Sequence, residues 1–170
     1  MNAPLMALLR LIHILAAIFW LGATLTLAGF LLPAMRTGPS AGALWGAVMQ
    51  RHRLQFWINI SMTLAVLAGF ALYGIDSATS SGAFARSTMG KVLGLGAVLA
   101  IAAAGVMGAI SQPAGRKLAA LGQRLEEGSV TTASATTEAE ALQARISRGL
   151  TIASVLLLLS ATTMAIARYL

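Results

Sequence analysis

The stretch LLRLIHILAAIFWLGATLTLAGFLLPA, residues 8–34, decides the fold. Apart from Arg10 and His13 it carries no ionisable group, and the next one is Arg36. A bilayer's hydrocarbon core is about 30 Å thick, so about 20 apolar residues in a helix cross it. The run is about twice as long as a signal-peptide core, and no small-residue cleavage site follows a short core, so it reads as a retained first span.

Three further segments meet the same length. The spans run from about Leu5 to Leu32, Leu54 to Ile75, Gly90 to Ile110 and Leu150 to Ala167, with Pro33 and Pro113 as stops. Each is expected to be helical, because lipid offers no partner to an unpaired backbone group. The predicted fold is therefore all-α, a single transmembrane domain over residues 1–170 built as a four-helix bundle. No repeat of 20 to 50 residues is evident.

Composition agrees. Of 170 residues, 58% are hydrophobic and only 10% charged, against about a quarter charged in soluble domains. Mean hydropathy is +0.81. The net charge of +7 lies in loops and helix ends rather than in a basic stripe, so nucleic acid is not an expected partner and the bilayer is. The absence of cysteine excludes disulfides, thiolate metal sites, iron–sulfur clusters and covalently attached haem.

In loop one, ALWGAVMQRHRLQFW places Trp45, Arg51, Arg53 and Trp57 where an interfacial helix would bend into the second span. Loop two, residues 76–89, is short and polar. Loop three, about 111–148, is the longest. In it Pro113 starts a helix ending near Gly128, SVTTASATT reads as an exposed turn, and Thr137 with Glu140 has capping-box spacing for a helix feeding the fourth span. Loops one and three hold Arg36, Arg51, Arg53, Arg116, Lys117, Arg124, Arg145 and Arg148. The other side holds Arg10, Arg86, Lys91 and Arg168. The positive-inside rule puts loops one and three in the cytoplasm and both termini outside.

Helices in lipid pair through close packing and interhelical hydrogen bonds. Gly96, Ala100, Ala104 and Gly108 recur every fourth residue and give the third span a face of nearly bare backbone. Ser and Thr in the spans are expected mostly to bond the carbonyl one turn back on their own helix.

Arg10, His13, Ala17, Trp20 and Thr24 share one face of the first helix, which should turn inward. His13 then lies about 12 Å into the span, inside the hydrocarbon. A neutral imidazole there needs a hydrogen-bond partner or a metal. The same end gathers Arg10, Arg86, Lys91 and Arg168, with Asp76 the only nearby acid. Such a cluster suits an anionic guest. Haem fits it, with iron on His13 and cations on the propionates; a quinone headgroup or phospholipid would fit too. The plainer alternative is a histidine bonded to a Ser, Thr or carbonyl, with the cations snorkelling to headgroups.

His52, in the RHR triplet, falls near the opposite face and reads as an interfacial residue. Copper is the rival metal, through Met6, His13 and Met89. No carboxylate lies within a span, and no phosphate loop, catalytic triad or His-Glu zinc motif is present. Any chemistry is then redox carried by a cofactor. A non-catalytic reading also stands: an accessory subunit of a larger membrane complex, or a homo-oligomer, packed through the small-residue face.

The first span, with His13 followed by Trp20 and Gly22, resembles that of small bacterial membrane proteins that include the membrane domain of copper-resistance protein D. It also looks like the four-helix protoporphyrinogen oxidase that binds haem b. Lys91 in GKVLGLGAVLA matches a lysine early in the third span of that group, and the ending AIARYL is similar. The resemblance implies the bacterial inner membrane, haem b or a porphyrin at His13, and a functional Lys91.

Overall fold

In the computed structural model, which describes residues 3–35 and 41–170, the chain is helical with no strand among the described residues. Arg36, counted above among the loop-one charges, lies outside them. The elements are α1 (Ala3–Thr26), α2 (Leu32–Met35), α3 (Ala41–Gly46), α4 (Leu54–Thr79), α5 (Ala83–Arg86), α6 (Thr88–Val106), α7 (Gln112–Glu126) and α8 (Thr132–Ala167). Four continuous helical stretches are long and apolar enough to cross a bilayer: Ala3–Ala34, Leu54–Thr79, Thr88–Leu125 and Ala133–Ala167. The protein is thus an all-α bundle with four membrane-spanning helices.

Both prolines expected to stop a span are instead absorbed by a π-helical turn. Leu27–Leu31 precedes Pro33, and Met107–Ser111 precedes Pro113. In an ordinary turn the proline ring would clash with the carbonyl four residues back. Here the backbone N–H of Leu32 bonds Leu27 O and that of Gln112 bonds Met107 O, one residue wider than α-helical spacing. The widened turn moves the offending carbonyl aside, and the helix runs on.

Loop three is therefore a helical hairpin. Gly128, at φ +70°, closes α7: Ser129 N–H bonds Arg124 O at 3.0 Å and Gly128 N–H bonds Leu125 O at 3.1 Å, which satisfies the last carbonyls. SVTTASATT is mostly helical rather than a turn. The N-cap is Thr131, whose hydroxyl accepts from Ser134 N–H at 3.4 Å, whereas Thr137 sits inside α8 and donates to Ala133 O at 3.5 Å. At 36 residues, α8 is about 54 Å long, well beyond the hydrocarbon thickness.

Helix pairing places the site. α1 packs along α4, and α6 along α8; the two pairs meet over shorter lengths through α1 with α8 and α4 with α6. At the half holding Trp20 and Met107 the pairs close on a shared core with Leu27, Ile58, Leu150 and Leu157. Beyond it, α7 and the start of α8 fold with α3 over Leu118, Ile146 and Trp45. Trp45 is buried there, not interfacial, because Gly115 of α7 leaves room for its indole; a Cβ at 115 would lie 3.2 Å from Trp45 Nε1. Trp57 is exposed.

Gly96 delivers the close approach expected of it. A Cβ there would lie 2.8 Å from Thr163 Oγ1 and 3.0 Å from Met164 Cγ of α8, and Ser160 Oγ–H donates to Gly96 O at 2.7 Å. Gly108, by contrast, faces open space. Thr24, Thr63 and Thr162 bond carbonyls one turn back on their own helices. A second interhelical polar contact joins Gln112 Nε2–H to Asn59 Oδ1 at 3.0 Å.

Candidate functional site: an imidazole in the wall of a lateral cleft

His13 lies ten residues into α1, about 15 Å from its start. Its imidazole reaches across to α4, where Nδ1–H donates to Ala65 O at 2.7 Å. A carbonyl can only accept, so the proton is on Nδ1. In a neutral ring Nε2 is then the bare nitrogen, and it makes no hydrogen bond among the described residues. Gly69, one turn further along α4, lets the ring lie this close: a Cβ there would sit 2.9 Å from His13 Cε1 and 3.1 Å from Nδ1. The plain bonded-histidine alternative therefore accounts for one nitrogen and not for the other.

Beside the ring is a cleft of about 500 Å³ between α1 and α8, with α4 and α6 behind it. That volume is within the range of about 300–1,000 Å³ for small-molecule and cofactor sites. Its walls include His13, Ala17, Trp20, Ala65, Ser160 and Met164. Ile14 and Ile18 also line it and are exposed on the helix surface, so it opens sideways at the level of the hydrocarbon.

Trp20 closes the cleft toward the core. It is 2% exposed, and its Nε1–H points at Met107 Sδ, 3.3 Å away. Thr24 Oγ1–H donates to Trp20 O at 2.7 Å and fixes the backbone beneath it. His13, Ala17 and Trp20 thus share the inward face expected from their spacing.

The cations divide. The cleft-lining row of α1 is Ile14, Ala17 and Leu21, and Arg10 is the next residue outward in that register. On α8 the row is Leu157, Ala161 and Met164, and Arg168 is the next outward. Arg10 and Arg168 are both exposed and neither lines the cleft; the Arg168 guanidinium stacks 5.3 Å from the Tyr169 ring. Lys91 is also exposed but belongs to another row, with Gly94, Val98 and Ile101 of α6, which faces a second cleft between α4 and α6. Arg86 folds over its own turn, with Nη2–H donating to Ser81 O at 3.4 Å. Of the six residues expected at the site, His13 and Trp20 line the cleft, Arg10 and Arg168 continue its two rows one turn outward, and Lys91 and Arg86 lie apart.

Met164 is the residue that sequence reasoning missed. It stands among apolar α8 residues with no local signal, and only the docking of α8 on Gly96 turns it toward the His13 cleft. Met6 and Met89, weighed as copper ligands, do not line that cleft, and no group of three His, Cys, Asp or Glu gathers among the described residues. His52 is exposed at the far end; His13 meets α4 at Ala65, eleven residues or about 16 Å past Leu54.

Gly69→Ala should push the ring away from Ala65 O and weaken the Nδ1 bond, because the added methyl would lie 2.9 Å from Cε1. The expected result is a roughly tenfold or greater loss of affinity for any ligand of Nε2, the usual effect of losing an imidazole's orienting partner. Titration of the variant beside the unmodified chain checks it.

No protein-family model matches the chain, and no curated protein or solved structure shows significant similarity to it.

Proposed function

We propose that the protein binds haem b, or a closely related metalloporphyrin, in the lateral cleft, where His13 Nε2 would hold the iron. The observation that carries this reading is the tautomer imposed by Ala65 O, which leaves Nε2 bare inside the hydrocarbon beside a cleft of cofactor size. A metal-bound histidine ordinarily donates its other N–H to a carbonyl or carboxylate in this way. The residues fit the group: an apolar cleft with Trp20 in its wall would take the macrocycle, and Arg10 and Arg168, one turn outward of the lining rows, would meet the propionates. Met164, in the same cleft, offers a thioether, a ligand that raises a haem's potential. When bound, haem supplies one-electron redox chemistry; the chain's own residues orient it and exclude water.

In this reading the protein is a small electron-transfer or haem-linked redox component of a bacterial inner membrane. Arg51, Arg53, Arg116, Lys117, Arg124, Arg145 and Arg148 gather at the end away from His13, so that end is assigned to the cytoplasm and both termini to the outside. Copper handling is favoured only by Met164 sharing the cleft with His13, which makes two soft or borderline donors where a closed site needs more.

The test is a titration of the full chain in detergent with haemin, followed in the Soret region. Saturation at one haem per chain supports the reading. Absorbance that rises without saturation, as for haem dissolving in micelles, overturns it.

A further inference from the structure

At the end of the bundle away from His13, a pocket of about 50 Å³ lies between the chain leading into α4 and the first turns of α7. Trp45, Gln50, Gln55, Gln112 and Arg116 are among its lining residues. Gln55 and Gln112 each donate one Nε2–H to Asn59 Oδ1 at 3.0 Å, which ties the start of α4 to the start of α7. Each amide keeps a second N–H with no acceptor among the described residues. Trp45 is 4% exposed, and its Nε1 stands against Gly115, which also lines the pocket. A buried indole N–H ordinarily finds an acceptor, and this one has none among the described residues. Arg116 supplies the charge in the lining. The pocket is therefore rich in free N–H donors, carries one positive charge and lacks an acceptor to match them.

Charge and depth select the occupant. Asp76 is the only side-chain carboxylate before Glu126, and Glu126 lies ten residues, about 15 Å, along α7 from Arg116. Arg51, Arg53 and Lys117 flank the lining residues in sequence and are exposed. An anion is thus favoured. The pocket also sits where apolar sequence gives way to charge: α4 turns apolar from Leu54, and the run before α7 ends at Ile110, two residues short of Gln112. Its volume suits one small anionic group and nothing the size of a nucleotide. We infer that the pocket seats the phosphate of an anionic phospholipid, with Arg116 and the Trp45 N–H donating to its oxygens. Basic pockets at the ends of membrane helices hold anionic headgroups in this way. A lipid already carries its phosphate at this depth, so it is the source assigned. The inference does not rest on the haem reading, because the pocket shares no lining residue with the His13 cleft.

The full chain, stripped of lipid in a neutral detergent, is titrated with dioleoylphosphatidylglycerol, and bound lipid is counted by native mass spectrometry. One tightly held lipid per chain is expected. Arg116→Gln should weaken it about tenfold, the effect of one hydrogen bond to a charged group. Lys117→Gln removes the same charge from a residue outside the lining and should leave it nearly unchanged. Proton NMR of the indoles gives a second reading that needs no variant. On lipid addition the Trp45 N–H resonance should move downfield, while that of Trp20, held on Met107 Sδ, stays in place. Equal affinity in the unmodified chain and Arg116→Gln overturns the assignment, as does an equal loss in both variants, which would make the attraction diffuse. Phosphatidylcholine held as tightly, or an unmoved Trp45 resonance, overturns it too. Displacement of the lipid by an equal concentration of inorganic phosphate would make the occupant a free ion and overturns it equally.

Discussion

His13→Ala should yield a colourless protein. Expressed with haem available and purified in detergent, the unmodified chain is expected to carry a Soret band, and the variant to lose it by well over tenfold. A second-sphere change around a ligating histidine costs about 10–100-fold in metal affinity, and removal of the ligand itself exceeds that. The substitution should leave the fold standing. His13 is only half-buried and makes one side-chain hydrogen bond, to Ala65 O, whose carbonyl already serves as the acceptor of its own helix. Helical circular dichroism and a monodisperse elution profile would confirm that pigment and not structure was lost. Exogenous imidazole should restore part of the band, because the deleted side chain leaves a space of its own shape above the cleft. Full retention of the band in the variant would remove His13 from the site.

Trp20→Ala should give the largest loss of stability of any single truncation in the bundle. Trp20 is the bulkiest of the fully buried side chains and sits where the two helix pairs meet. Truncating a buried tryptophan costs about 3–5 kcal/mol, made up of lost transfer energy and the cavity left behind. In lipid the transfer contribution shrinks, because the helices stay in an apolar medium when they separate, and packing dominates. An effect of about 3 kcal/mol is therefore expected, read from denaturation in mixed micelles. Trp20→Phe keeps most of the volume and loses the N–H pointed at Met107 Sδ together with part of the sulfur–aromatic contact. It should cost about 1 kcal/mol. Equal losses in the two variants would mean that the hydrogen bond, rather than the filling of space, matters at this position.

The four spans were legible because lipid permits one solution to a long apolar run. The inward face of α1 was legible too, since His13, Ala17, Trp20 and Thr24 follow helical spacing. Pro33 and Pro113 misled because a proline is a stop only in a regular turn, and the π-helical turns before them depend on what the widened backbone packs against. Thr137 matched a cap by spacing, yet α8 begins earlier because Ala135 and Gln143 are buried among neighbouring helices, which holds the preceding turns helical. Trp45 had the composition of an interface residue and the location of a core one, a difference set by Gly115 on a distant segment.

The candidate site was legible in its central residue and not in its surroundings. Which nitrogen of His13 is free follows from a carbonyl 52 residues away. Whether Lys91 or Arg168 stands with it follows from which face each helix turns toward which partner, and local spacing does not encode that. Met164 carries no pattern of its own. Both clefts lie where the α1–α4 pair meets the α6–α8 pair, along contacts much shorter than those within each pair.

Everything proposed for the first cleft depends on a bare Nε2, and nitrogen NMR of histidine-labelled protein reads it directly. With His52→Gln leaving a single imidazole, the account predicts a neutral ring with its proton on Nδ1. On addition of diamagnetic zinc protoporphyrin the Nε2 resonance should shift much further than Nδ1. A ring protonated on Nε2, with neither resonance moved by the porphyrin, would contradict it.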